Sequence, residues 1–223
     1  MSRSKTIGVA LSSVLLGAGV LSLMGFGLAS AQPHQPALTA TPTGTRGHVA
    51  LTISVYPDSQ FGGNRGTGGA HPDWVSYSND NLVVPANSVV DMTVKQYDTG
   101  GELNNSVFGN VFGTVGNTMN VNGKEVSSWD PTSIGHTFTL RGISGDGTRL
   151  MVSVPIPFDT NKGAENNGGG VEIAPMIVKF SFKTGGKGVY QWNCEFPCGG
   201  SRQGQFGEAM STYGYMSGTL TVK

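Results

Sequence analysis

Both cysteines of the 223-residue chain lie in one stretch, Gly188-Val189-Tyr190-Gln191-Trp192-Asn193-Cys194-Glu195-Phe196-Pro197-Cys198-Gly199. A second run follows a glycine-rich segment, Gly214-Tyr215-Met216-Ser217-Gly218-Thr219-Leu220-Thr221-Val222. The first run is strand-like as far as Cys194 and continues as a loop through Cys198. The second run predicts a closing strand that begins just after Met216. The sequence therefore places two thiols on one short loop and a thioether shortly before the next strand.

Two uses of these sulfur atoms stay open on the residues alone. Thiolates and a thioether are soft ligands, and they suit copper better than a hard cation. A disulfide between Cys194 and Cys198 is the alternative, because a loop can bring two cysteines four residues apart to bonding distance where a straight strand cannot. Such a short closure removes little entropy from the unfolded chain, so its stabilising value is modest. The two states can also alternate, since an unmetallated thiolate pair oxidises readily.

The N-terminal residues predict an export signal over residues 1–31. Arg3 and Lys5 form a positive start, residues 7–28 carry no charge, and residues 29–31 read Ala-Ser-Ala, a small-x-small cleavage site. The apolar run is long for a signal peptide, so an uncleaved membrane anchor is the alternative. Residues 32–46 are rich in Pro, Thr and Ala and predict a flexible linker before a single domain over 47–223. We expect an exported protein, located outside the cell, on its surface or in the periplasm.

Composition excludes several classes of function. From Gln32 onward the chain keeps all 14 acidic residues and 12 of its 14 basic residues, a net charge of −2. This balance gives no electrostatic basis for binding nucleic acid or anionic lipid, so only an uncleaved N-terminal segment would contact a membrane. We find no paired carboxylates at catalytic spacing, no nucleophile elbow and no zinc-protease helix. We therefore expect that the protein is not an enzyme.

Alternating apolar residues and turn signals predict an all-β fold. With 35 Gly, 11 Pro and 13% charged residues, the composition favours short strands joined by many turns. Strands at this spacing indicate an antiparallel sandwich or barrel. Residues 100–131 predict long Gly/Asn-rich loops with one or two short strands. The stronger strands are predicted over 48–56, 81–97 as two strands joined at a turn, 136–140, 149–156, 175–183, 188–193 and 218–222.

Four of these segments, in order, resemble the cupredoxins, the exported β-sandwich copper proteins. The first is a turn, Val84-Pro85-Ala86-Asn87-Ser88-Val89-Val90. The second, Gly135-His136-Thr137-Phe138-Thr139, resembles the segment that carries the first histidine ligand. The third and fourth are the two runs quoted above, which resemble the strand that ends in the ligand cysteine and the axial methionine with its closing strand. The resemblance spans most of residues 82–222 and implies an all-β, antiparallel Greek-key β-sandwich.

The resemblance implies a copper site formed by His136, Cys194, Cys198 and Met216, with the carbonyl of Phe196 as a further contact. Plastocyanin-like members place a second histidine where this chain has Pro197. The Cys-x-x-x-Cys spacing is similar to the dinuclear copper domain of cytochrome oxidase subunit II and nitrous oxide reductase, whose following histidine corresponds here to Arg202. No histidine follows His136. One copper or two therefore stays undecided.

Two further residues could bind the copper, and the sequence supports two hypotheses of function. His71, in a loop, could supply the missing imidazole, and Met210 is a second methionine near the closing strand. The first hypothesis is an exported copper protein for electron transfer or copper handling, with a redox partner protein or a copper donor or acceptor. The second is a metal-free secreted β-sandwich, held by a Cys194–Cys198 disulfide, that acts as a binding or surface-interaction module.

Overall fold

The computed structural model describes residues 36–57, 74–98, 105–145, 147–158, 175–198 and 208–223. All of them lie in one compact unit, His34–Lys223. The predicted signal, the start of the linker and His71 lie outside the described residues. Within the described ranges, no helix is long and apolar enough to cross a membrane. Helical structure in these ranges is confined to 3-10 turns of three or four residues.

Thirteen strands lie within the described ranges, and the all-β prediction is confirmed. They are β1 Leu38–Thr39, β2 Thr41–Pro42, β3 His48–Tyr56, β4 Ser76–Tyr77, β5 Asn81–Val84, β6 Val89–Gln96, β7 Met119–Val121, β8 Lys124–Val126, β9 Ile134–Ile143, β10 Arg149–Pro157, β11 Met176–Lys183, β12 Gly188–Asn193 and β13 Ser217–Val222. Strands β3, β6, β11 and β12 follow the predicted ones closely, because each alternates more buried and more exposed side chains along much of its length. Strands β9 and β10 are instead buried along most of their length.

The strands form two sheets with a shared hydrophobic core. Sheet 1 has the order β1-β5-β13-β12-β9-β10, and sheet 2 has the order β2-β3-β6-β11-β7-β8 with β4 beside β3. The chain passes repeatedly from one sheet to the other, as in a Greek-key sandwich. Both sheets are mixed rather than purely antiparallel. The parallel pairs are β3 with β6, β5 with β13 and β1 with β5. Parallel strands cannot be joined by a tight hairpin, and the two strands of each pair are separated by a longer stretch of chain.

The linker predicted over residues 32–46 is partly strand. Leu38–Thr39 pairs with β5, Thr41–Pro42 pairs with β3, and the Ala40 N–H donates to the Val83 carbonyl at 2.9 Å. A segment with few side chains to bury can still satisfy its backbone groups by adding to a sheet edge. The composition of the linker does not predict this pairing, because the pairing depends on backbone hydrogen bonds.

Aromatic side chains fill the core next to the cysteine loop. Trp192 is fully buried, its ring centroid lying 5.0 Å from that of Tyr77 and 5.5 Å from that of Phe138. Its indole N–H donates to the Thr219 carbonyl at 3.3 Å. Trp192 precedes Cys194 by two residues, so both side chains project from the same face of the chain and Cys194 enters the interior. The packing of this strand sets the position of the loop.

Candidate metal centre

Pairing between β12 and β9 brings Cys194 and His136 to the same end of sheet 1. Asn193, the last residue of β12, lies opposite Thr139 on β9, and His136 lies three residues nearer the start of β9. Beyond Asn193, the Cys194 N–H donates to the Met216 carbonyl at 2.9 Å, just before β13 begins. Three neighbouring strand ends therefore hold the site.

His136, Cys194 and Cys198 form a buried cluster of soft and borderline ligand atoms. One donor atom from each residue lies within 4.8 Å of the others, and all three residues are buried. The Cys194 Sγ lies 3.8 Å from the His136 Nδ1. Both cysteines are free thiols in the structure. The sequence-predicted residues His136, Cys194 and Cys198 are thus brought together in space.

Backbone donors surround the Cys194 sulfur. The Thr137 N–H donates to Sγ at 3.4 Å and the Phe196 N–H at 3.3 Å. Burial by itself raises the pKa of Cys194, but hydrogen bonds from Cys198, His136 and Thr137 outweigh burial and bring it well below 9.0. The site therefore favours a thiolate at Cys194, which is the form that binds metals.

His136 lies between Cys194 and an acidic residue. Its Nε2 is 2.5 Å from Oδ2 of Asp98, a residue that follows β6 in sheet 2. Burial lowers the pKa of His136, but the hydrogen bonds to Asp98 and Cys194 outweigh burial and raise it from 6.5 to about 9. The metal-free site at neutral pH is therefore an imidazolium between a carboxylate and a thiolate, and a metal ion bound at Nδ1 would replace the proton there.

Cys198 differs from Cys194 in its electrostatic environment. Burial raises the pKa of Cys198, and its contact with Cys194 together with the Asp98 charge raises it further, well above 9.0. Cys198 is therefore the protonated member of the pair when no metal is present. A cation bound between the sulfurs would favour loss of that proton by its own charge.

A second set of contacts holds the loop after β12 against β9. The Glu195 N–H donates to Thr137 Oγ1 at 2.8 Å, and the Glu195 carboxylate accepts from the guanidinium of Arg141 on β9. Thr137 thus contributes both its backbone N–H, to the Cys194 sulfur, and its side chain, to the following residue. These contacts fix the loop without a ligand.

The remaining predicted donors have different outcomes. Met216 is fully buried, and its carbonyl accepts from the Cys194 N–H. Met210 is also buried, in a 3-10 turn before β13. The Phe196 carbonyl lies 3.6 Å from the Cys194 Sγ. His71 lies outside the described residues.

Asp98 is the residue that the sequence analysis did not identify. It is separated from His136 by 38 positions and belongs to no ligand motif. Its one local feature is its position, two residues after the buried end of β6, and many surface carboxylates occupy similar positions. Only the packing of the end of β6 against the start of β9 brings it to the imidazole.

Comparison with known proteins gives structural similarity without sequence similarity. No family model and no curated protein matches the chain. Among solved structures, it is similar to auracyanin B, at 15% identity over 82% of this chain and 94% of that one, with a TM-score of 0.35. Reduced rusticyanin shows 10% identity over 88% and 93%, with a TM-score of 0.39. Rusticyanin from Thiobacillus ferrooxidans shows 9% identity over 88% and 90%, with a TM-score of 0.38.

These solved proteins are cupredoxins, the family named from the sequence segments above, and rusticyanin is a copper protein. At such identities and TM-scores the similarity transfers no ligand or role. The chemistry of this chain therefore depends on the arrangement of its own residues, a buried His/Cys/Cys cluster at the end of a two-sheet β-fold.

Proposed function

We propose that the protein is an exported, cupredoxin-like copper-binding protein that serves electron transfer or copper handling outside the cytoplasm. The observation that supports this most directly is the convergence of His136, Cys194 and Cys198, whose donor atoms lie within 4.8 Å of one another in the interior. The N-terminal export signal predicted from the sequence supports the location.

The donor set fits copper. Two sulfur atoms are soft ligands that accept Cu(I), and an imidazole nitrogen suits Cu(II), so copper bound here could supply one-electron redox chemistry. The protein's own contribution is to orient the donors and to exclude water. Cys194 would be the principal thiolate because two N–H groups already point at its sulfur. His136 would contribute Nδ1, the nitrogen that faces Cys194.

Met216 is proposed as a weak further ligand, since it is buried directly before β13 and its backbone is bonded to Cys194. A distant thioether would tune the reduction potential more than the affinity. Three strong donors suit one copper ion. The Cys-x-x-x-Cys spacing keeps a two-copper site as the alternative, for which further ligands would be needed.

Copper binding by single-residue variants tests the proposal. The reduced protein is loaded with copper, and the bound metal and the thiolate-to-copper absorption band are measured for the wild type, Cys194→Ser, Cys198→Ser and His136→Gln. His48→Gln is the matched control, because His48 also contacts an aspartate but lies outside the cluster. We expect Cys194→Ser to abolish the band, the other two cluster variants to weaken binding, and His48→Gln to behave as wild type.

The proposal is wrong if Cys194→Ser and Cys198→Ser bind as much copper as the parent. A free-thiol count on protein taken directly from the exported fraction tests the alternative, a metal-free module stapled by a disulfide. Two free thiols would remove that alternative. A disulfide with no copper in the purified protein would favour it, since the sulfur atoms are close enough for oxidation after a small movement of the loop.

A redox partner or a copper donor would approach the end of the sandwich where β9, β12 and β13 place the site. We propose transfer rather than catalysis, because the three clustered donors are buried. Loss of bound copper to a copper-free acceptor, or electron exchange with a redox protein, would separate copper handling from electron transfer.

A further inference from the structure

We propose that Asp98 is a positioning residue for the metal ligand His136. It would hold the imidazole by Nε2, so that Nδ1 faces the metal. Its negative charge would also make Nδ1 a stronger electron-pair donor to the metal. The inference rests on the proposed copper site and adds to it a residue that follows β6 of sheet 2, outside the predicted ligand set.

The geometry of the ring supports this role. Asp98 Oδ2 lies 2.5 Å from Nε2, on one side of the imidazole, and Cys194 Sγ lies 3.8 Å from Nδ1, on the other. A carboxylate on one ring nitrogen fixes the tautomer that leaves the opposite nitrogen free to bind metal. The Phe196 ring meets the imidazole edge-on at 6.4 Å, which further limits its rotation.

Burial makes the contact strong. The side chain of His136 is 2% exposed and that of Asp98 is 15% exposed, so water competes little for either group. A charge-assisted hydrogen bond in such an environment is shorter and stronger than one between neutral groups. Because Oδ2 bonds to Nε2, on the ring edge away from Cys194, that oxygen cannot bind the ion held at Nδ1. Asp98 therefore acts through His136.

A second aspartate–histidine pair, whose aspartate lies on β6, provides an internal comparison. Asp91 on β6 lies with its Oδ2 3.0 Å from Nδ1 of His48, but the two side chains are 37% and 35% exposed. Asp91 and Asp98 are thus the same residue type with the same kind of partner, seven positions apart. Only the Asp98 pair reaches the buried cysteine cluster.

Copper affinity, measured by competition with a chelator of known affinity, tests the proposal on the full chain. The variants are Asp98→Ala, which removes the acceptor, and Asp98→Asn, which keeps an acceptor of the same shape and removes the charge. Asp91→Ala and Asp91→Asn are the controls. Partners of metal-bound histidines typically change affinity by about 10- to 100-fold. We expect a loss in that range for Asp98→Ala, a smaller loss for Asp98→Asn, and wild-type affinity for both controls.

The reduction potential of bound copper gives a readout that a purely structural role would not change. Removing a negative charge near the metal disfavours its more positive, oxidised state. We therefore expect Asp98→Asn to have a more positive potential than wild type and Asp91→Asn to have an unchanged potential. Equal affinities and equal potentials in the Asp98 and Asp91 variants would overturn the proposal.

A measurement without metal separates this inference from the copper assignment. In the reduced, metal-free protein, proton NMR should show a slowly exchanging His136 Nε2–H, because that proton is buried and bonded to Asp98. Asp98→Ala should lose this resonance and Asp91→Ala should keep it. If the resonance persists in Asp98→Ala, the positioning role is wrong. Wild-type protein that binds no copper would instead overturn the proposed function, and the proton signal would still decide whether Asp98 holds the ring.

Discussion

At the scale of single residues, the two cysteines are chemically unequal although they share one loop. Cys194 receives N–H groups from Thr137 and Phe196, whereas Cys198 lies next to the charges of Cys194 and Asp98. These neighbours lower the pKa of Cys194 and raise that of Cys198. The metal-free site therefore carries one thiolate, paired with the His136 imidazolium.

This pairing predicts how the stability of the metal-free, reduced protein depends on pH. Between pH 6.5 and about 9 the unfolded His136 has lost its proton while the folded one keeps it, so this group makes the free energy of unfolding fall as pH rises. The pKa of the folded Cys194 is lowered, so on approaching the ordinary pKa of 9.0 the unfolded thiol keeps a proton that the folded thiolate has lost, and this group makes stability rise with pH. The two slopes oppose each other in the wild type.

Cys194→Ser removes the rising contribution and keeps the part of the falling one that comes from Asp98, which still holds the His136 proton. We expect the unfolding free energy of Cys194→Ser, measured by urea denaturation between pH 6.5 and 9, to fall more steeply with pH than that of the wild type. Cys198→Ser is the control for loss of a buried thiol. Parallel pH profiles for Cys194→Ser and the wild type would contradict the assigned thiolate–imidazolium pair.

At the scale of elements, the closing strand fixes the loop. Strand β13 pairs with β12 over its whole length, and Gly218 on β13 lies opposite Trp192. A Cβ at Gly218 would come 2.1 Å from the Asp80 carbonyl oxygen and 2.6 Å from the Trp192 ring. Glycine at this position therefore lets β13 approach both neighbours, two residues after Met216.

Gly218→Ala should consequently destabilise the protein and disturb the candidate metal site. Overpacking against backbone costs about 1–3 kcal/mol, since neither the carbonyl nor the indole can move freely. Gly145→Ala is the matched control, because its Cβ would meet no atom closer than 4.0 Å, and surface changes of this kind alter stability by about 0.5 kcal/mol or less. Chemical denaturation measures the difference. Equal unfolding midpoints for the two variants would show that β13 tolerates displacement.

At the scale of the whole molecule, the site joins the two sheets. Cys194 and His136 come from sheet 1, and Asp98 follows β6 of sheet 2. Bound metal would link β9 with the loop after β12, and the contact between Asp98 and His136 would connect it to sheet 2. A ligand that binds only the folded state stabilises it according to its concentration and affinity.

Copper should accordingly stabilise the whole fold rather than the loop alone. At free copper 100 times the dissociation constant, we expect the free energy of unfolding to rise by about 2.7 kcal/mol. Fluorescence of the buried Trp192 and circular dichroism of the backbone should both report the same shift in the unfolding midpoint. Cys194→Ser should show no shift. A shift of equal size in Cys194→Ser would mean that copper stabilises the protein from another position.

The sequence by itself determined the class of the fold, the longer strands and the loop that carries the site. Apolar and polar side chains alternate along β3, β12 and similar segments because one face of each strand is buried. This pattern is local, so it can be recognised from the order of residues. The sequence likewise predicts that the thiols of Cys194 and Cys198 lie close together, because their spacing confines them to one loop. The imidazole of His136 was predicted only through the family resemblance.

Tertiary structure alone decided the parallel pairings, the strands at residues 38–42 and the place of Asp98. The first two depend on backbone hydrogen bonds between distant segments, which leave little trace in side-chain pattern. The aspartate–histidine contact depends on how the end of β6 packs against the start of β9, a juxtaposition across 38 positions that no local spacing encodes. The types of the candidate donors can therefore be predicted from the sequence, whereas the environment that sets their protonation exists only in the folded protein.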